Sequence, residues 1–171
     1  LDVPVILGRL PVSVRFLAKK ELFNVPVLGG GIRAIHMIET DRRAGPASHR
    51  AINTQVATVI SEGLSLMVFP EGTRSEDGVM LPFKKGAFRI AVDNEMPGVP
   101  VTIIGAAKGW KARRRLIFGG PVQLIIHDPI PTAGWDRSKL DELRTQTRLA
   151  VAGPLGPEAL GPAARDAEAK D

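Results

Sequence analysis

The chain has 171 residues, is 44% hydrophobic and carries a formal net charge of +5. Its length and apolar content suit one ordinary domain with a real core and exclude disorder over most of it. The absence of cysteine excludes disulfides, thiolate metal sites and a cysteine nucleophile, while the basic balance points to anionic partners without choosing among lipid phosphate, nucleotide, nucleic acid and membrane surface.

The opening Leu1-Asp2-Val3-Pro4 has no initiating methionine and no leader character, so the chain is expected to be a fragment whose start lies upstream. No stretch reaches the roughly 18 consecutive apolar residues of a spanning helix. Short Val- and Ile-rich segments separated by amphipathic stretches predict an α/β domain over residues 1–152, with strands at 14–18, 35–38, 64–69, 99–104, 115–118 and 122–127. Gly29-Gly30-Gly31 lacks the spacing of a dinucleotide fingerprint and is expected to be a flexible turn. Residues 46–62 place Ile52, Val56, Val59 and Ile60 at helical spacing, with Gly63 as the stop. The nearly continuous apolar run from Leu64 to Phe69 predicts a strand buried on both faces.

Immediately after it stands Phe69-Pro70-Glu71-Gly72-Thr73-Arg74-Ser75. The loop beyond a strand's carboxyl end is where α/β sheets hold ligands. There the glycine admits a close backbone approach, and the guanidinium can make two parallel hydrogen bonds to a phosphate. A second helix is expected from Gly86 to Asp93-Asn94 and a third from Asp136, with Leu140, Leu143 and Thr147 on one face. Residues 153–171 turn to Gly, Pro, Ala and charged residues and are expected to form a loosely ordered tail.

The string at 69–74 matches, residue for residue, the Phe-Pro-Glu-Gly-Thr-Arg block of the 1-acylglycerol-3-phosphate acyltransferase family, which the chain resembles elsewhere too. Phe83-Lys84-Lys85-Gly86 is similar to the family's Phe-Lys-x-Gly segment, Pro97-Gly98-Val99-Pro100-Val101 to its proline-containing hydrophobic block, and residues 15–23 to the segment after its first motif. The resemblance covers residues 1 to about 130.

That resemblance implies a glycerol-3-phosphate acyltransferase-like fold: a single α/β domain with a mixed, largely buried sheet flanked by helices. It implies acyl transfer from acyl-CoA or acyl-carrier protein to the free hydroxyl of a lysophosphatidate-like acceptor, giving phosphatidate, with no metal and no cofactor beyond the acyl-carrying co-substrate. In the first motif, Asn-His followed by four residues and Asp, the aspartate falls on Asp2, and the histidine general base falls upstream of Leu1. Asp2 would hold the imidazole and stabilise its charged form. His36 and Asp41 repeat the spacing, but no asparagine precedes His36 and its context is strand-like. His49 and His127 read as solvated or structural.

Arg42 aligns with the arginine of the second motif, although Glu39 and Thr40 stand where Phe and Ile would be. With Arg74 it is expected to bind the acceptor phosphate, in a site shaped by Glu71, Gly72 and Thr73. Lys19 or Lys20, and Lys84 or Lys85, are further candidates, one of each pair at most, for point charges in an anionic pocket. The cluster Lys108, Lys111, Arg113, Arg114 and Arg115 around Trp110 fits a solvated loop or a membrane contact equally well. The expected location is the cytoplasmic face of a membrane, reached through segments outside this chain. A nucleic-acid partner is not expected, because the basic residues are scattered and the chain has two tryptophans and no tyrosine for stacking. The alternatives are a related acyltransferase with another lipid or amine acceptor, and a non-catalytic module for anionic lipid.

Overall fold

A computed structural model of the chain describes residues 6, 8–35, 37–40, 45–73, 75, 79–106 and 121–161. The fold is mixed α/β and divides into two compact units, Leu10–Val68 and Leu1–Arg9 with Phe69–Asp171.

The Leu10–Val68 unit runs β1 (Val14–Lys19), α1 (Lys20–Phe23), α2 (Leu28–Ala34), β2 (Ile38–Thr40), α3 (Gly45–Ser61) and β3 (Ser65–Met67). Its sheet has the order β2-β1-β3 with both pairings parallel, Leu17 opposite Ile38 and Val14 opposite Ser65. Parallel strands need a long crossover, and α3 lies in the one that carries the chain from β2 on one side of β1 to β3 on the other. Alternation along β1 buries Val14, Phe16 and Ala18. On α3, Ile52, Val56 and Val59 form the buried stripe; Ile60, expected to join it, is 41% exposed. Gly63, at φ +67°, stops that helix as expected. Its N–H donates to the Ile60 carbonyl and that of Leu64 to the Val59 carbonyl, the two bonds of a Schellman motif.

Three expectations in this unit are corrected. The three glycines lie inside α2 rather than in a flexible turn. A Cβ on Gly29 would stand 2.1 Å from the Phe23 carbonyl oxygen, so glycine there serves the close packing of α2 against the end of α1. The strand expected at 35–38 starts only at Ile38, because Ile35 caps α2 and still donates its N–H to the Gly31 carbonyl. The strand expected at 64–69 is confined to Ser65–Met67 and is half-buried; Phe69 is 43% exposed and already belongs to the following turn.

The other unit contains α4 (Lys85–Asp93), β4 (Val101–Ile104), β5 (Gln123–Ile126), a 3₁₀ turn (Arg137–Lys139), α5 (Leu140–Ala152) and two further 3₁₀ turns (Gly153–Leu155 and Pro157–Leu160). β4 and β5 pair antiparallel with Thr102 opposite Ile125. Among the described residues, the parallel and antiparallel pairings are thus carried by two sheets, one of three strands and one of two. Met80, Phe83, Phe88, Val92, Leu140, Leu143, Ala152, Ala159 and Leu160 make the core of this unit.

Ala159 and Leu160 are a finding against the loosely ordered tail. Gly156 and Gly161, at φ +91° and +77°, make left-handed turns that fold Pro157–Leu160 back onto the core. Residues 162–171, like the expected strand at 115–118 and the basic cluster around Trp110, lie outside the described residues. Among the described residues no helix is long and apolar enough to cross a membrane.

Candidate functional site

The segment Phe69–Ser75 leaves β3 and turns at once. The Gly72 N–H donates to the Phe69 carbonyl at 3.1 Å, closing a β-turn with Pro70 in second place and Gly72 in fourth. Gly72 has φ +71°, a left-handed conformation that favours glycine. Residues 79–84 return alongside this turn and are tied to it at two points. Glu71 Oε2 accepts from the Leu81 N–H at 2.9 Å, and the Lys84 N–H donates to the Pro70 carbonyl at 2.9 Å. A carboxylate accepting a backbone N–H is a charge-assisted bond, stronger than a neutral one. Glu71 therefore holds the returning chain in place.

Lys84 precedes α4 in extended conformation and lays its side chain over Gly72. A Cβ at Gly72 would come within 2.9 Å of Lys84 Nζ and within 3.4 Å of Cδ and Cε. Lys85, one position on, reaches α5, where its Nζ bonds Asp141 Oδ2 at 2.9 Å. The Asp141 carboxyl is held below its ordinary range, first by this Lys85 bond and then by the charges of Arg144 and Lys85. Of the two lysines, Lys84 faces the signature and Lys85 an acidic partner.

Thr73 is exposed beside this turn. Glu71, Gly72, Thr73 and Lys84 are therefore together, with the Lys84 ammonium laid over Gly72. Arg74, Arg42 and Asp2 lie outside the described residues. Lys19 ends β1 opposite Thr40; its side chain is not among those described.

His127 is a structural residue. Its Nε2 lies 2.8 Å from the hydroxyl oxygen of Thr102, which is fully buried and whose proton goes to the Val151 carbonyl at 2.9 Å. A hydroxyl has one proton to donate, so Nε2 must carry its own and donate. The pair joins the β4–β5 ladder to the end of α5. His36 and the side chain of His49 lie outside the described residues, and among the described residues no group of three or more His, Asp or Glu side chains gathers as a metal site would require.

Arg148 was not anticipated from sequence. Its guanidinium bonds the Met80 carbonyl at 3.3 Å and the Leu160 carbonyl at 3.2 Å. The only signal is its position on α5, directly beside Thr147 at the edge of the buried stripe, where a long side chain can snorkel along the core.

Comparison with known proteins gives a concordant answer. The family model described as Acyltransferase matches residues 1–104. The chain is 32% identical over 142 residues to a 1-acyl-sn-glycerol-3-phosphate acyltransferase of Limnanthes douglasii, covering 83% of this chain and 50% of the relative. It is 37% identical over 131 residues to the chloroplastic 1-acyl-sn-glycerol-3-phosphate acyltransferase BAT2 of Brassica napus, covering 76% and 38%. The crystal structure of the 1-acyl-sn-glycerophosphate acyltransferase of Thermotoga maritima superposes with a TM-score of 0.69 at 31% identity, over 90% of this chain and 59% of that one. The chain spans about half the length, or less, of these plant relatives.

Proposed function

Because the chain belongs to the acyltransferase family, we propose that its protein transfers a fatty acyl group from acyl-CoA or acyl-carrier protein to the free hydroxyl of 1-acylglycerol-3-phosphate, giving phosphatidate. The observation that carries this reading is the signature turn, with Lys84 laid over Gly72 and Glu71 fixing the chain that brings Lys84 there. An acceptor bearing a phosphate monoester suits such a place, since its dianion is met by a point charge and by the Arg74 guanidinium that follows in the chain.

In this reading the acceptor hydroxyl oxygen attacks the thioester carbonyl carbon while the histidine of the first motif takes its proton. Asp2 orients that imidazole and stabilises its cation. The tetrahedral oxyanion collapses, the carbon–sulfur bond breaks, and the thiolate takes the proton back from the imidazolium. Arg74 and Lys84 hold the phosphate so that the hydroxyl meets the thioester; Thr73 and Gly72 set the fit. The reaction is written without a metal or cofactor. The acceptor is a membrane lipid, so the reading includes work at the cytoplasmic face of a membrane, through segments outside this chain.

The test is thiol release from an acyl-CoA by the full-length protein, with lysophosphatidate, glycerol 3-phosphate and a lysophospholipid without a phosphate monoester as acceptors. Turnover with lysophosphatidate alone is expected. Equal turnover with the acceptor that lacks the monoester would remove the phosphate-recognition reading, and flotation with vesicles tests the membrane association separately.

A further inference from the structure

Three contacts link the end of the described chain to the signature turn. The Met80 N–H donates to the Ala159 carbonyl at 2.8 Å, so the Pro157–Leu160 turn and the returning segment are paired backbone to backbone. The Arg148 guanidinium bridges the carbonyls of Met80 and Leu160. The next residue, Leu81, donates to Glu71. Met80, Ala159 and Leu160 are all buried in one cluster, and Gly161 is so close to the returning segment that a Cβ there would meet Val79 Cγ1 at 3.1 Å. The segment that carries Lys84 to Gly72 is thus gripped from one side by the signature and from the other by the C-terminal turns.

We infer that Arg148 is a positioning residue for this site, acting through Met80, Leu81 and Glu71 on the signature turn and on Lys84. The inference rests on the acyl-transfer reading for its enzymatic consequence and on geometry alone for the linkage. The two Arg148 bonds go to Met80 and Leu160, outside the signature. Its half-buried guanidinium stands between two carbonyls that it satisfies together, so its removal leaves both without their donor and loosens the Met80 end of the segment. Bonds at Leu81 and Lys84, the two ties to the signature, lie one and four positions beyond Met80. Loosening on that scale is a local opening and leaves the β4–β5 ladder untouched.

The experiment compares full-length protein with its Arg148→Met and Arg148→Lys variants in two measurements. Amide hydrogen exchange, read without substrate, is expected to quicken about tenfold at Leu81 and Lys84 in Arg148→Met, with Thr102 and Ile125 unchanged as the control for folding. Arg148→Lys, which keeps donors for the carbonyls, is expected to fall between the two. In the acyl-transfer assay, Arg148→Met is expected to raise the acceptor KM about tenfold with kcat nearly constant, and adding Glu71→Gln is expected to do little more, because the two residues act on one segment. Unchanged exchange at Leu81 overturns the inference, as do fully additive effects of Arg148→Met and Glu71→Gln. Absence of acyl transfer by the unaltered protein overturns the assigned reaction instead, and is distinguished because the exchange measurement needs no substrate.

Discussion

Lys84 rests its ammonium over the one residue of the signature turn that has no side chain: a Cβ on Gly72 would stand 2.9 Å from Nζ. Gly72→Ala tests both halves of this relationship. The φ of +71° costs an L-residue about 1–2 kcal/mol, while the ammonium is the far end of a flexible chain and can swing away at little cost. The expected outcome is a loss of about 1–2 kcal/mol in denaturant unfolding, with a raised acceptor KM from the displaced Lys84. An unchanged KM would detach Lys84 from the site.

The two adjacent lysines should part company. Lys84→Met is expected to raise the acceptor KM roughly tenfold, in line with a lost charge-assisted contact to phosphate. Lys85→Met removes only an exposed pair with Asp141 and should leave both KM and kcat within about twofold. Steady-state kinetics on the two variants decide it.

Glu71 invites a comparison of two substitutions. Glu71→Ala leaves the Leu81 N–H without its acceptor and is expected to lower stability by about 1–3 kcal/mol. Glu71→Gln retains an oxygen for that bond and should lose less, since a neutral acceptor is about half as strong as a charged one. Equal losses in urea melts would mean that the bond to Leu81 contributes little.

Thr102→Val deprives both His127 Nε2 and the Val151 carbonyl of their partner in a buried place, for an expected loss of about 1–3 kcal/mol. His127→Gln, in contrast, should keep kcat within a few-fold. A collapse of kcat in that variant, with the fold intact by circular dichroism, would overturn the structural assignment of His127.

Acid should weaken the region around α5. Asp141 is lowered by its bond to Lys85, and Asp136 by its bonds to the side chain and backbone of Ser138. Both carboxyls are more acidic folded than unfolded, so their contribution is present above the unfolded carboxylate range near pH 4 and is lost as pH falls through the lower folded values. Melting temperature is therefore expected to drop below about pH 4. Added salt should shrink the Asp141 part of that drop, because exposed ion pairs are screened, while the Asp136 part, a local cap, should persist.

The parts of the fold legible in the sequence are those decided by local pattern. The stripe Ile52, Val56, Val59 with Gly63 behind it specifies α3, and the alternation in β1 specifies a strand. The signature string announced its turn through Pro70 and Gly72. Decisions made by distant packing were not legible. Three glycines in a row carry no helical propensity, yet all three lie in α2, where the Phe23 carbonyl leaves no room for a Cβ on Gly29. The composition of residues 153–161 suggests disorder, yet glycines at positive φ return Ala159 and Leu160 to a core built by residues far earlier in the chain. The same holds at the site: Lys84 and Lys85 are equivalent in sequence, and only Asp141 on α5 separates them.

The place of β1 in its sheet has a consequence for biosynthesis. Among the described residues it is the first of the three strands to be made and the only one of them with a neighbour on both edges. Its partner β3 aligns Ser65 with Val14, and at about 5–20 residues per second that separation takes several seconds to synthesise. During that interval Val14, Phe16 and Ala18 wait with an open strand edge, so a slowed ribosome or a missing chaperone should harm the yield of this protein more than its final stability would suggest.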